Sequence, residues 1–304
     1  MTITIKKSLI LGIRSIFKNA KFVFLLWGTN SLAAFLLSMP IYYLLMDNLT
    51  HSLMSDQLAL EFDFTWYIQF RNIYESSIGE IPFMIYSMVG VYILIQIFYI
   101  GGLISIFNFP EKNHMVDFFY GGVKHWLRFT KIAFISLVPF LAAFIIHDYL
   151  GLLIEWGFAE TENQMADFII RLARYILLVF FIGLTTIISD YSKVYMALND
   201  STKTFQSIGR AVIFIKNNFN KTFTVFLIIA CIGASGAIFY NLLEAYIPRT
   251  PFYFLILSFI VQQMLIIFRL FIRMYFCATE VLLYKDLSAE VVELKAKEQK
   301  VGVN

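Results

Sequence analysis

Six stretches of the chain, at 22–46, 81–109, 132–154, 168–189, 222–243 and 250–273, are long, apolar and almost free of charge. About 20 apolar residues carry a helix across roughly 30 Å of hydrocarbon. Lipid offers no partner to an open backbone N–H or C=O, so each stretch is predicted to be a spanning helix. The fourth is the least uniform, with Arg171 and Arg174 in its first two turns, where long side chains snorkel to the surface.

A second pattern precedes the first, third and fifth spans. Residues 10–24 read ILGIRSIFKNAKFVF, residues 120–134 read YGGVKHWLRFTKIAF, and residues 207–226 read SIGRAVIFIKNNFNKTFTVF. Each has a Gly near its start, cations spread over several turns, and a last Lys (Lys21, Lys131 or Lys221) before an uncharged run. Apolar residues recur at helical spacing in all three: Ile5, Leu9, Ile13, Ile16 and Phe17; then Met115, Phe118, Phe119, Trp126 and Leu127; then Phe205, Ile208, Val212 and Ile215. These basic amphipathic helices either lie in the interface, with cations towards anionic headgroups, or extend their spans beyond it. The predicted fold is all-α: a polytopic membrane helical bundle of six transmembrane helices, built from three pseudo-repeats of a cytoplasmic amphipathic helix plus a transmembrane hairpin. It covers 1–284 as one membrane domain, and 285–304 is a polar cytoplasmic C-terminal tail into which helix continues for several turns.

One loop departs from the helical pattern. Within 47–80, Leu58, Leu60, Phe62, Phe64, Trp66, Ile68 and Phe70 alternate with polar residues, which predicts a strand or extended segment, with a surface-lying helix over 54–74 as the alternative.

Composition agrees with a bilayer. Of 304 residues 59% are hydrophobic, 18% aromatic and only 15% charged, whereas soluble domains carry about a quarter charged residues. Cys231 and Cys277 fall in or beside spans, so a disulfide framework is not expected. The first apolar run exceeds the length of a cleavable signal's core, so it is expected to stay as a span.

Charge then sets orientation. Lys6, Lys7, Arg14, Lys18 and Lys21 precede span one; Lys112, Lys124, Arg128 and Lys131 lie between spans two and three; Lys193, Lys203, Arg210, Lys216 and Lys221 lie between four and five. The alternate connections are acidic, with Asp47, Asp56, Glu61, Asp63, Glu75 and Glu80 in the first and Glu155, Glu160, Glu162 and Asp167 in the second. Lys and Arg mark the cytoplasmic side, so a bacterial inner-membrane protein with both termini cytoplasmic is expected. Lys18, Lys21, Arg128, Lys131, Lys216 and Lys221 are the candidate contacts to anionic inner-leaflet lipids. Membrane lipids are the expected partners, with a protein partner undefined and no nucleic acid.

Candidate chemistry is sparse. The sequence contains none of HExxH, GxxxxGKS, GxGxxG, GxSxG or CxxC, so no catalytic residue, metal or cofactor is expected. His114, Asp117 and His125 can share a helix face, and the expected reading is polar residues beside headgroups. Ionisable residues at membrane depth are the stronger functional candidates, with opposite charges as their partners. Asp190 and Lys193 stand one turn apart at the end of span four, and Arg269, Arg273 and Glu280 share a face of span six, so Asp190 is expected to pair with Arg269 or Arg273. A second set, Asn30, Gln96, Thr185, Thr186, Gln262 and Gln263, falls at middle or inner depth and either lines a cavity or makes interhelical hydrogen bonds.

Residues 190–223, DYSKVYMALNDSTKTFQSIGRAVIFIKNNFNKTF, place an Asp-bearing turn after a returning span and a basic amphipathic helix before the next. This arrangement resembles poorly characterised bacterial six-span families, including the membrane domain attached to some glycerophosphodiester phosphodiesterases. The resemblance implies a membrane-embedded module; no phosphodiesterase domain is present, so that activity does not carry over. The expected role is non-enzymatic membrane organisation or assembly. A small-solute or lipid transporter is the alternative, and an enzyme acting on a lipid headgroup the third reading.

Overall fold

The computed structural model describes residues 5–50, 58, 63–109, 115–158, 164–248, 250–251 and 253–301. Within them the chain is helical: α1 Ile5–Lys18, α2 Lys21–Leu49, α3 Phe64–Ile73, α4 Glu75–Asn108, α5 Met115–Phe158, α6 Gln164–Leu198, α7 Thr204–Asn217, α8 Phe219–Tyr246 and α9 Tyr253–Val301. Six of these, α2, α4, α5, α6, α8 and α9, are long and apolar enough to cross a membrane. The protein is therefore an all-α, multi-pass membrane protein.

The three basic stretches are not built alike. Turns at Asn19–Ala20 and at Asn218 separate α1 from α2 and α7 from α8. The middle stretch has no break: α5 runs unbroken for 44 residues. At 1.5 Å per residue that is about 66 Å, roughly twice the hydrocarbon thickness. The second basic segment is thus an extension of its own span. His125 within it is buried and its ring stacks on Phe129 at 5.4 Å, so it does not sit exposed beside headgroups as expected; His114 lies outside the described residues.

The alternating segment of the first loop is corrected at its described end. Residues 64–73 form α3, an α-helix and not a strand. Asp63 decides this, because its Oδ1 accepts from the backbone N–H of Thr65 at 2.8 Å and of Trp66 at 3.1 Å, capping the helix start. Trp66 then stacks on Phe70 at 4.8 Å, and Phe70 lies 5.0 Å from Tyr74, contacts that spacings of four allow only on a helix. Residues 51–57 and 59–62 lie outside the description.

Contacts divide the chain into two compact units. The first comprises Met1–Ser15, Ile100–Ile228 and Phe276–Asn304, and the second Ile16–Tyr99 and Ile229–Tyr275. In the first, α5 and α6 form a hairpin on which α7 packs. Its buried residues gather towards the basic ends of the helices: Phe118, Phe129 and Ile132 on α5, Ile187, Val194 and Met196 on α6, Ala211 and Ile215 on α7, Ala278, Val281 and Leu283 on α9. The far halves of α5 and α6 instead expose Val138, Leu141, Ile145, Ile176 and Val179, apolar surface that lipid covers. Close approach of α4 to α5 depends on missing side chains. A Cβ on Gly102 would meet the Phe118 carbonyl oxygen at 2.6 Å, and one on Gly121 would meet Ser105 Oγ at 2.1 Å. Lys285 Nζ donates to the terminal carbonyl of α4 at Asn108, a cation where the helix dipole is negative.

In the second unit α2 and α9 run antiparallel. Phe17 meets Phe271 with ring centroids 5.6 Å apart, and further along Trp27 Nε1 donates to Gln263 Oε1 at 3.0 Å. Helix α8 joins α9 through small residues, Gly233 against Ile272 and Gly236 against the Phe268 ring.

Candidate functional site

Polar side chains at membrane depth form two separate arrangements, one in each unit. In the first unit, Asp190 and Lys193 occupy one turn of α6, and Lys193 Nζ donates to Asp190 Oδ1 at 2.8 Å. Lys193 is 8% exposed and Glu280, on α9, 5%. Glu280 lies near enough for the charges of both Asp190 and Lys193 to act on it. One carboxylate, Asp190, therefore holds the ammonium, with Glu280 close by in a water-poor place. Around them Tyr191 is enclosed against Phe214 at 5.3 Å, and Phe214 against Tyr284 at 4.7 Å, which binds α6, α7 and α9 into one aromatic layer.

Asp190, expected to pair with Arg269 or Arg273, takes its partner among the described residues from its own helix, three residues on, and Arg273 has a neutral one. Lys193 shares the face of Asp190, one turn away.

Arg273 belongs to the second unit. Its Nη1 donates to Gln96 Oε1 and its Nη2 to the Gln96 carbonyl at 3.4 Å. Gln96 Nε2 donates in turn to Asn30 Oδ1 at 2.8 Å, which also accepts from the Tyr92 hydroxyl at 2.9 Å. A chain of neutral dipoles thus solvates one guanidinium across α2, α4 and α9, which is how a cation survives at apolar depth. Two of the midplane candidates, Asn30 and Gln96, are consumed by this chain, and Gln263 by Trp27. Gln262 points outward and is exposed. Thr185 and Thr186 lie in the first unit, half-buried, and the Thr186 hydroxyl donates to the Ile182 carbonyl of its own helix at 2.9 Å. Beyond the network an apolar groove of about 240 Å³ runs between α8 and α9, lined by residues including Phe239, Leu243, Met264 and Phe268.

The α6–α7 turn holds a group that periodicity did not single out. Asp200 adopts φ 47°, a left-handed conformation that Asp and Asn tolerate better than other side chains. It pairs with Arg128 Nη1 at 2.6 Å and with Lys124 Nζ at 3.0 Å, tying the turn to α5. Arg128, one of the candidate lipid contacts, is thus half-buried and engaged with the turn. The turn chemistry NDST, 199–202, was the available signal. The acidic turn after span four is accordingly made by Asp200, while Asp190 lies in mid-helix. Hydrogen bonds from Arg128 and then Lys124 hold the Asp200 carboxyl below the ordinary carboxylate range.

A depressed carboxylate stabilises the fold above its unfolded-state value, and that contribution disappears as pH falls through the folded value. Asp200→Asn keeps the backbone conformation and removes the charge. At neutral pH it is expected to lower the thermal unfolding midpoint slightly, since exposed pairs are worth about 0.2–1 kcal/mol each. The difference from wild type should vanish in acid; equal midpoints at neutral pH would show the pairs to be idle.

Of the remaining candidate lipid contacts, Lys18, Lys21, Lys131 and Lys216 are exposed and Lys221 half-buried. Lys21 Nζ lies 5.2 Å from the centroid of the Phe22 ring. At the acidic ends the arginines of α6 do not simply snorkel: Arg171 forms a two-oxygen contact with Asp167 at 2.8 Å, and Arg174 lies over Gly151 of α5, where a Cβ would meet Nη1 at 1.9 Å.

Fold and site together define a multi-pass helical membrane protein with a polar cluster in each of its two units. No family model, curated protein or solved structure matches the chain.

Proposed function

We propose that this is a non-enzymatic organising or assembly protein of a bacterial inner membrane, with both termini cytoplasmic and its basic helices turned to anionic lipid. The observation that carries this reading is the sorting of charge along the spans. Lys131, Arg210 and Lys216 are exposed at or before spans three and five, as Lys18 and Lys21 are before span one, and the connections that alternate with these in the sequence are acidic. Each Lys or Arg near an anionic surface is worth about 1 kcal/mol, so a handful holds a helix end firmly against that leaflet. The polar side chains at depth support a structural role, because Asn30, Gln96 and Gln263 are engaged with other helices. The topology also fits the six-span families that residues 190–223 resemble.

Purification in native lipid followed by mass spectrometry tests the reading. The expected result is enrichment of intact anionic phospholipid and no stoichiometric solute. A discrete solute would establish the transporter in its place, and a chemically altered lipid the enzyme. Orientation has its own check, in that a reporter fused at Asn304 should be active on the cytoplasmic side.

A further inference from the structure

The second unit's part of α9 carries positive charge with no carboxylate beside it in the chain. Residues 253–275 contain two cations, Arg269 and Arg273, and no acidic residue. Arg273 is solvated by Gln96, yet that partner is neutral and leaves its charge in place. Arg269, one turn before it, is exposed and makes no hydrogen bond or ion pair among the described residues.

The pairing of α2 with α9 locates this bare guanidinium. Trp27 on α2 meets Gln263 on α9. Lys21 stands six residues before Trp27 and Arg269 six after Gln263, so two antiparallel helices of equal rise bring them to within about one helical turn of the same level. Lys21 is the last charge before the uncharged run of α2, so Arg269 sits at the boundary where headgroup meets hydrocarbon. An unpaired cation facing lipid at that depth costs several kcal/mol unless a counter-ion comes to it. A phosphate is the anion that a lipid leaflet offers there, and the planar guanidinium fork matches two of its oxygens.

We infer that Arg269, with Lys21 level with it across the α2–α9 pair, holds the phosphate of one anionic phospholipid. The inference rests on the reading that the basic ends face an anionic leaflet, and goes beyond it by naming one discrete site on the spans themselves. Diffuse attraction to the exposed cations of α5 and α7 is a separate matter. Two cations at one level, with a third behind them, favour a headgroup that is net negative over a zwitterionic one.

The test is native mass spectrometry of the full chain released from bilayers of equal phosphatidylglycerol and phosphatidylcholine. Wild type is expected to keep phosphatidylglycerol preferentially. Arg269→Gln should lower that occupancy about fivefold, equivalent to about 1 kcal/mol, while Arg269→Lys recovers part of it and Lys216→Gln leaves it unchanged. The Lys variant guards against a folding defect in the Gln variant. Undiminished retention in Arg269→Gln, or equal loss in Lys216→Gln, would overturn the discrete site while leaving general anionic-lipid association intact. Wild type that keeps no phosphatidylglycerol at all removes the proposed function as well. Displacement of the bound lipid by millimolar inorganic phosphate alone would assign Arg269 to free phosphate and refute the lipid site.

Discussion

Replacing Lys193 by Met is expected to destabilise the protein by about 3–5 kcal/mol, the range for breaking a buried ion pair from one side. The loss arises from what remains. Lys193 donates to Asp190, so Met leaves that carboxylate without its ammonium at the edge of a place that water barely reaches. A second change separates this from a simple packing defect. Removing the stranded charge as well, in Lys193→Met with Asp190→Asn, should recover more than half of the lost stability. Thermal unfolding of the purified protein, followed by tryptophan fluorescence, measures both. A double variant no more stable than the single one would show that Asp190 does not depend on Lys193.

The second large effect concerns the contact between α4 and α5. Gly102→Ala is expected to cost about 2–3 kcal/mol, as overpacking against rigid surroundings does. The obstacle is the backbone carbonyl of Phe118 at 2.6 Å, with the Phe118 ring also closer than 3 Å at 2.7 Å. Neither backbone can withdraw without opening the helix crossing. Ala in place of Gly gains about 1 kcal/mol of helix propensity, and the clash exceeds that gain. Gly28 in α2 supplies the control, since a Cβ there meets nothing within 4 Å. Gly28→Ala should therefore be neutral or stabilising. Opposite signs for two identical substitutions in spanning helices are the diagnostic result, and matching signs would refute the close crossing.

These two sites illustrate what a sequence of this kind makes legible. The spans could be read because the bilayer imposes a length and a polarity on each of them independently; α2, α5, α6 and α8 contain the whole of their predicted spans, and α4 and α9 most of theirs. The approach of Gly102 to the backbone near Phe118 was not legible, since it depends on how two helices rotate against each other. The same holds for charge. Lys193 was recognisable as a neighbour of Asp190 by spacing alone, whereas Glu280 had to be brought up by the packing of α9. Spacing along one helix is local, and the facing of different helices is a global result. Asp200 escaped for another reason. Its role lies in a turn, and the search for membrane chemistry favoured spans over turns. Over 64–70 aromatic residues two apart satisfy a strand pattern and residues four apart a helix pattern; Asp63, as a cap, breaks the tie in favour of the helix that was the alternative reading.

The division of α9 between the two units has a consequence for synthesis. Its residues up to Tyr275 complete one unit and those from Phe276 complete the other. Each unit also draws on the first hundred residues of the chain, so neither can close while the ribosome is still making α8. The faces that α9 covers must wait open in the membrane until the sixth span arrives. Loop closure over such separations slows assembly and leaves partly built faces exposed to other chains. During that interval the small-residue face at Gly236 is vulnerable to the wrong neighbour, which makes translation rate and insertion machinery part of how this fold is reached.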